Sequence, residues 1–400
     1  MTETPSPDWL ISVDDHILEP ANLWVDRVPA KDRERVPHMV KDDRLGEIWV
    51  YDGKPHRTTG LSAVAGKSKE EFSPEPVGYS EMRRACYDPV ARVEDMNRAG
   101  ILASLCFPSL PRFCGQLFYE ASDRDFGLTC LKIYNDWLIE DWCGSAPGRY
   151  IPLMLIPLWD PRLAVEEMRR CAARGVTTFA FSEEPTKLGL PSIHDPYWAP
   201  VFAAADELGM VVSMHVGSSS NIPKISDSAP FMANLAWGAI RTSGAMLDWL
   251  FSGLFTRYPN LRIALSEGEA GWIPYFLERA EQVIDKQRHW VSKGVQFSDY
   301  ANNDVDLFSL DIRQLFRDHV HGCIIEDHHA IASIDEIGED NIMVETDYPH
   351  SDSTWPDSIE VARKLVAPLT PEQQYKVLRG NAERLYRFTP AEPSASPTHG

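Results

Sequence analysis

The chain has 400 residues, with 59 acidic against 39 basic side chains and therefore a formal net charge of −20. A surface this acidic repels phosphate groups, so we expect neither nucleic acids nor anionic membranes as partners. Hydrophobic residues make up 44% of the chain, a share that supports a large buried core.

Short apolar segments alternate along the chain with amphipathic segments of helical length. The predicted strands cover residues 9–13, 101–107, 150–158, 176–181, 210–214, 261–265, 320–325 and 341–344. The predicted helices cover residues 88–99, 123–143, 161–174, 196–208, 240–258, 270–290 and 305–318. Because strand and helix alternate, the sheet is expected to be parallel. Eight strands without a Gly-rich phosphate loop after the first one favour a closed (β/α)8 barrel of the TIM type over an open sheet.

Residues 24–87 interrupt this alternation after the first strand. The segment is charged, and Asp52-Gly53 is a strong turn signal between two extended stretches, so a short antiparallel hairpin is predicted there. We interpret residues 24–87 as an insertion in a single barrel domain that covers residues 1–390. A Pro- and Ser-containing tail at 391–400 is predicted to be disordered.

Polar side chains follow six of the predicted strands, at the end where a β/α barrel builds its active site. They are Asp14 and His16 after the first strand, Glu183 after the fourth, His215 after the fifth, Glu267 after the sixth, Asp327 or His328 after the seventh and Asp347 after the eighth. Imidazoles and carboxylates together suit zinc, manganese or iron better than calcium or magnesium. The sequence therefore predicts one divalent metal ion, with zinc as the first choice and manganese or iron as alternatives.

The predicted metal ligands are Asp14, His16, His215 and Asp347. Asp14 and His16 are two residues apart on an extended segment, so their side chains point to the same side and can reach one ion. His215 and Asp347 stand at the matching ends of other strands. The structural alternatives are that Asp14 caps a turn, that His16 is a satisfied loop histidine, and that His215 is a core residue with a backbone partner. For Asp347 the alternative is a turn aspartate that precedes a proline segment.

Glu267 and Asp347 are the predicted catalytic carboxylates. Asp347 can accept a proton from water, whereas Glu267 can serve as a ligand, a general acid–base or the partner of an arginine, and spacing does not separate these roles. Arg112, after the second strand, is a candidate for gripping a substrate carboxylate, although it can equally be a surface arginine. His328 and His350 are further candidates for substrate binding, with a helix cap as the alternative for His328.

Four motifs contain the candidate ligands and Glu267: Val13-Asp14-Asp15-His16, Ser213-Met214-His215, Leu265-Ser266-Glu267-Gly268 and Thr346-Asp347-Tyr348-Pro349-His350. Their order and spacing resemble the amidohydrolase superfamily, and the resemblance covers residues 11–388. It is closest to the amidohydrolase-related branch that contains aminocarboxymuconate-semialdehyde decarboxylase and related aromatic-acid decarboxylases. The resemblance implies a distorted β/α barrel, one zinc or manganese ion and a homo-oligomer, either dimer or tetramer.

Two positions depart from the pattern that the resemblance implies. The family's first strand normally carries His-x-His or Glu-x-His, whereas this chain has Asp14 and His16. The sixth-strand position is often a catalytic histidine in the decarboxylases, and here it is Glu267. His215 and Asp347 match the fifth-strand histidine and the last-strand aspartate of the family.

The resemblance favours a decarboxylase acting on a small aromatic or carboxylate-bearing substrate. Glu267 favours the alternative, a metal-dependent hydrolase in which water attacks an amide, an ester or a carbon–carbon bond. An alternative from another class is a catalytically inactive barrel that only binds a metal or ligand, because fold does not imply activity.

The seven cysteines are scattered and include no CxxC pair, which is typical of reduced thiols. Residues 1–8 lack the basic and apolar regions of a signal peptide, and the apolar stretches are too short to cross a bilayer. We therefore expect a cytoplasmic protein.

Overall fold

The computed structural model describes residues 8–42, 46–221, 223–291 and 306–391. Within these ranges, parallel strands form a barrel and three antiparallel strands form a separate small sheet. The strands are β1 (Leu10–Ile17), β2 (His38–Asp42), β3 (Gly46–Tyr51), β4 (Lys54–His56), β5 (Ile101–Pro108), β6 (Tyr150–Ile151), β7 (Leu153–Met154), β8 (Thr178–Phe181), β9 (Val211–His215), β10 (Arg262–Ser266), β11 (Val320–Ile324) and β12 (Ile342–Val344).

The parallel strands follow the order β1–β5–β6 and β7–β8–β9–β10–β11–β12. Only Pro152 separates β6 from β7, and its missing N–H interrupts the ladder, so the predicted third strand is present as two short pieces. The backbone after β12 returns to β1, where Asp347 N donates to Asp14 O at 2.9 Å and His16 N donates to Tyr348 O at 2.7 Å. These bonds close the barrel.

Strand β1 is longer than the predicted segment 9–13, and this corrects the predicted position of Asp14 and His16. Both residues lie inside the strand rather than after it. Pairing continues because His16 is in register with Phe107 of β5 and bonds to the segment after β12 on its other side. Every residue of β1 is buried, as expected for a strand covered on both faces.

Helices pack around the barrel, and their starts follow the predicted capping signals. Asp88 and Asp160 each accept backbone N–H bonds at the start of a helix whose first residue is proline. The helices are α1 (Pro89–Arg98), α2 (Gln116–Tyr119), α3 (Arg124–Trp137), α4 (Pro161–Ala172), α5 (Ala199–Leu208), α6 (Phe231–Ala236), α7 (Ile240–Phe251), α8 (Leu254–Arg257), α9 (Ile273–Val291), α10 (Ile312–His319), α11 (His328–Ala332), α12 (Ile334–Ile337), α13 (Ser358–Val366), α14 (Pro371–Tyr375) and α15 (Asn381–Leu385).

Three predicted helices differ clearly in extent from the structure. The predicted helix 123–143 is α-helical only as far as Trp137 and continues as a π-helical turn over Leu138–Trp142. The predicted helix 240–258 is divided into α7 and α8 at Gly253, whose φ of 74° no α-helix accommodates. The predicted helix 305–318 begins later than expected, because Asp311 caps α10 and residue 305 lies outside the described residues.

The insertion after β1 contains the antiparallel sheet β2–β3–β4. Tyr51 pairs with Lys54 across Asp52 and Gly53, and both turn residues have the positive φ values of a tight hairpin, so the predicted hairpin is present. The predicted disordered tail lies outside the described residues from position 392 onward. No helix in the described ranges has both the length and the apolar character needed to span a membrane.

Candidate metal centre

Four buried side chains meet at the C-terminal end of the barrel. His16 Nε2 lies 3.5 Å from Asp14 Oδ1, 3.1 Å from Asp347 Oδ1 and 3.3 Å from His215 Nε2. His215 Nε2 lies 3.3 Å from Asp14 Oδ2. Each of the four residues is at most 1% exposed. The structure thus brings together the four side chains that the sequence nominates as metal ligands.

Strand geometry explains this convergence. Asp14 and His16 are alternate residues of β1, and His215 is the last residue of β9. Asp347 follows β12 with a φ of 50°, a left-handed conformation that aspartate tolerates better than most residues. Its N–H donates to the carbonyl oxygen of Asp14, so the backbone bond that closes the barrel also brings the first and last ligand candidates together.

Hydrogen bonding orients the His215 ring. Nδ1 lies 2.5 Å from the carbonyl oxygen of Val216, which can only accept, so Nδ1 carries the proton and Nε2 presents its lone pair to the cluster. Burial lowers the pKa of His215 to about 4 and holds the pKa of His16 well below its usual value. Both rings are therefore neutral near neutral pH, the form in which imidazole binds a metal.

The donor set fits a divalent transition metal. Neither carboxylate oxygen of Asp14 accepts a hydrogen bond within the described part of the chain, although both are buried. Burying an unpartnered carboxylate is costly, and a cation would compensate this cost. Two imidazole nitrogens with carboxylate oxygens are the ligand types of zinc, manganese and iron sites.

Glu267 lies beside the cluster and is more accessible than its members. Its Oε2 is 3.4 Å from His215 Nε2, and its side chain is 24% exposed. Its backbone N–H donates to Glu345 Oε1 at 3.0 Å. Burial, and after it the negative charges of Asp347 and Glu345, raise the pKa of the Glu267 carboxyl well above its usual value. Glu267 is therefore placed to hold a proton that an ordinary glutamate would release.

Asp347 has the opposite electrostatics. Burial by itself raises the pKa of its carboxyl, but His350 and His16 outweigh burial and bring the pKa below the usual value. His350 Nδ1 lies 3.1 Å from Asp347 Oδ1. Potential metal-ligand atoms of His16, Asp347 and His350 all lie within 4.8 Å of one another, as do those of Asp14, His16 and His215. These opposite shifts in pKa favour an ionised Asp347 beside a protonated Glu267.

An aromatic ring covers one face of each imidazole in the cluster. The ring of Phe113 stacks on His215 with centroids 3.9 Å apart, and the ring of His350 stacks on His16 at 3.6 Å. His350, which the sequence suggests as a substrate-binding residue, thus lies at the cluster. The stack of Phe113 on His215 was not predicted, because no local signal joins residues so far apart in the chain.

Arg112 lies above the barrel at the insertion. Its guanidinium pairs with Glu120 and donates to Ser220 Oγ at 3.1 Å. Together with Glu19, His56 and other residues it lines a cavity of about 460 Å³ between the insertion and the ends of β1 and β5. Arg112 is therefore near the rim, with its charge already shared by a carboxylate.

The remaining candidates occupy separate positions. His328 is exposed and begins α11, and no contact within the described ranges joins it to the four-residue cluster. The cap of α11 is Asp327, which accepts from Ala330 N at 2.9 Å. Glu183 accepts from Gly217 N and Ser219 Oγ, and burial raises its pKa to about 7.

Comparisons with known proteins agree with this architecture. The amidohydrolase family model matches residues 22–388. The gamma-resorcylate decarboxylase of Rhizobium sp. (strain MTP-10005) is 28% identical over 289 residues, which cover 66% of this chain and 78% of that protein.

Two solved decarboxylases share the fold. The 5-carboxyvanillate decarboxylase of Sphingomonas paucimobilis has a TM-score of 0.64 at 21% identity, covering 95% of this chain and 99% of that one. The dihydroxybenzoic acid decarboxylase of Polaromonas sp. JS666, solved with manganese and 2-nitroresorcinol, has a TM-score of 0.60 at 19% identity, covering 95% and 97%. The predicted (β/α)8 barrel is confirmed.

Proposed function

The chain belongs to the amidohydrolase family, and we propose that it is a metal-dependent decarboxylase of a small, carboxylate-bearing aromatic substrate. The family predicted from the four sequence motifs is confirmed, and the predicted class of metal-dependent enzyme follows from this membership. One observation carries the proposal: Nε2 of His16 lies within 3.5 Å of Asp14, His215 and Asp347, and Nε2 of His215 lies 3.3 Å from Asp14 and 3.4 Å from Glu267.

The similar proteins support the decarboxylase over other activities of the family. The Rhizobium, Sphingomonas and Polaromonas proteins are all named as decarboxylases. The substrate of this chain is left at the level of a small aromatic acid, because identity to these proteins is low.

We assign Asp14, His16, His215 and Asp347 as the ligands of one divalent ion. Zinc remains the first choice from the donor set, and the manganese in the Polaromonas structure supports manganese as a second candidate, with iron as a third. Arg112, His328 and His350 remain proposed substrate contacts. Of these three, His350 has the strongest geometric support, since it stacks on His16.

The chemistry of the site separates the two predicted catalytic carboxylates. When bound, the cation would supply a positive charge that binds and orients the negatively charged oxygens of the substrate. Glu267 donates its proton to the ring carbon that bears the carboxylate, and the new C–H bond forms there. The bond to the carboxylate then breaks, its electron pair stays on the ring, and carbon dioxide leaves. Solvent returns a proton to Glu267, while ionised Asp347 holds His16 and His350 in place.

The direct test is release of carbon dioxide from aromatic acids by the purified chain loaded with zinc or manganese. Hydroxylated benzoates, including 2,6-dihydroxybenzoate and 5-carboxyvanillate, are the first panel because the similar proteins act on acids of this kind by name. We expect turnover that a chelator abolishes and added metal restores. A fully metal-loaded protein that releases no carbon dioxide across the panel would contradict the proposal.

Glu267 favours a second candidate, the metal-dependent hydrolase. In this alternative Glu267 or Asp347 accepts a proton from the attacking water, and the water oxygen enters the product. Cleavage of an ester, amide or carbon–carbon bond with incorporation of ¹⁸O from labelled water would identify it. A protein that binds the metal but shows neither decarboxylase nor hydrolase activity would support the remaining alternative, a catalytically inactive barrel.

A further inference from the structure

Asp15 lies between two of the proposed ligands, but its side chain serves a different set of partners. The residue is 0% exposed. Its Oδ1 accepts hydrogen bonds from Ser12 Oγ at 3.0 Å, from Thr346 Oγ1 at 2.6 Å and from Tyr348 N at 3.0 Å. Its Oδ2 accepts from Ser104 Oγ. These donors come from β1, from β5 and from the segment after β12.

Two of the donors flank Asp347 in the chain. Thr346 precedes this proposed ligand and Tyr348 follows it, and both bond to the same oxygen of Asp15. The backbone of Asp15 continues directly into Asp14 and His16. One carboxylate therefore connects the segment that carries two proposed ligands with the segment that carries a third.

The other side of this strand is held by Arg92, which is 1% exposed. Its Nη2 donates to the carbonyl oxygen of His16 at 2.6 Å, and its guanidinium lies 4.1 Å above the ring of Tyr348. The same arginine thus contacts both segments that Asp15 joins. Burial raises the pKa of the Asp15 carboxyl, and the positive charge of Arg92 opposes this rise.

We propose that Asp15 is a positioning residue of the metal centre, which sets the separation of Asp347 from the Asp14–His16 pair without touching the ion. This inference rests on the proposed metal centre. Hydrogen-bonding partners behind metal ligands fix ligand orientation, and their loss costs about 10- to 100-fold in metal affinity.

The test compares metal affinity of the full chain and two variants, with Zn²⁺ or Mn²⁺ alone titrated against a chromophoric chelator. Asp15→Asn keeps the shape, because its Oδ1 can accept the same three bonds and its Nδ2 can donate to the Ser104 hydroxyl. We expect it to bind metal within about threefold of the unmodified chain, whereas Asp15→Ala loses about 10- to 100-fold. The visible spectrum of bound Co²⁺ should change in Asp15→Ala and be retained in Asp15→Asn.

A matched control separates positioning from general loss of stability. Glu167 is also a buried carboxylate, and it accepts bonds from Asn135 Nδ2 and Arg170 Nε at 2.8 Å, on helices outside the barrel. Glu167→Ala should lower the unfolding midpoint without changing metal affinity. Thr346→Val, which removes one donor and retains the shape, provides a milder variant if Asp15→Ala fails to fold, and should weaken metal binding by several-fold.

The outcomes are distinct. Unchanged affinity in Asp15→Ala, or in Thr346→Val if Asp15→Ala does not fold, would overturn the positioning role while leaving the metal centre intact. Equal losses in Asp15→Asn and Asp15→Ala would also overturn it, because the amide preserves the contacts. If Glu167→Ala loses metal affinity to a similar extent, the loss in Asp15→Ala reflects lower stability of the fold, and the positioning role is overturned. An unmodified chain that binds no divalent ion would overturn the metal centre itself, and the role of Asp15 with it.

Discussion

Oδ2 of Asp14 and Nε2 of His215 lie 3.3 Å apart with lone pairs facing each other. The ring proton of His215 is engaged by Val216, and neither oxygen of Asp14 accepts a hydrogen bond in the described ranges. Two acceptors at this distance repel each other unless a cation or a proton lies between them. The arrangement is therefore most stable with an ion bound, and this requirement leads to the first two predictions.

Asp14→Ala and His215→Ala should each remove a ligand and lower metal affinity by more than about 100-fold, with loss of activity and retention of the fold. Mass spectrometry measures the metal content of each variant, and circular dichroism measures whether the fold is retained. His321→Ala is the matched control, since His321 is a buried histidine near the start of β11, at the opposite end of the barrel. Stoichiometric metal in both ligand variants would refute the assignment.

Metal binding should release protons. Burial, and then the neighbouring carboxylates, raise the pKa of the ligand Asp14 well above normal, so the metal-free protein keeps a proton that a cation must displace. Affinity is expected to rise with pH by about tenfold per pH unit for this proton, until the pH exceeds the raised pKa of Asp14. Calorimetry in buffers of different ionisation enthalpy counts the protons released. Glu267→Gln should release the same number, because Glu267 keeps its proton when the metal is bound, and one fewer proton would contradict its role as the proton donor.

Glu267→Gln should retain the metal and lower kcat by about 10²- to 10⁴-fold, because the amide cannot donate an acidic proton. Steady-state kinetics on the best substrate of the carbon dioxide screen measures the effect. Glu183→Gln is the control, since Glu183 is a buried carboxylate bonded to Gly217 and Ser219 rather than close to His215. A kcat within about threefold of the unmodified enzyme would rule out Glu267 as the proton donor.

Glu19 should make the protein less stable as pH rises. It is 1% exposed, and burial raises its pKa from 4.5 to about 7, against the opposing backbone N–H bonds from Leu110 and Ser109. Between these values the folded state binds the proton and the unfolded state does not, so the contribution of Glu19 to stability is greatest below pH 4.5 and falls towards pH 7. The shift corresponds to about 3 kcal/mol.

Urea unfolding at pH 5 and pH 8 measures how the free energy of unfolding changes with pH. Glu19→Gln removes the titration, so its stability relative to the unmodified chain should improve with pH by an amount on the order of 2–3 kcal/mol. The exposed Glu34→Gln should show no such trend. Parallel pH profiles for the Glu19 variant and the unmodified chain would contradict the prediction.

The barrel and the clustering of polar side chains could be predicted from the sequence, because both follow from the apolar segments and the polar residues at their ends. Alternating strands and helices marked the architecture, and the polar residue at each strand end marked where side chains could meet. The Asp-Pro pair at 160–161 and Asp52-Gly53 likewise specify a helix start and a hairpin through their own backbone preferences.

Features that depend on distant partners were not accessible from the sequence. The extension of β1 through His16 requires pairing with Phe107 and with the backbone after β12. The role of Asp15 requires Ser104, Thr346 and Tyr348, which no spacing rule connects to it. For His328 the structural alternative also follows from local pattern, since this histidine begins a helix that its neighbour Asp327 caps.

The rings of Phe113 and His350, stacked on His215 and His16, leave the two imidazoles little freedom to rotate before an ion arrives. The side chains therefore forfeit little rotamer entropy when they capture it. A preorganised cage of this kind selects among divalent ions by radius and preferred coordination geometry, since the cage cannot relax around a poor fit. Because release of the ion restores little side-chain freedom, a bound ion is expected to dissociate slowly.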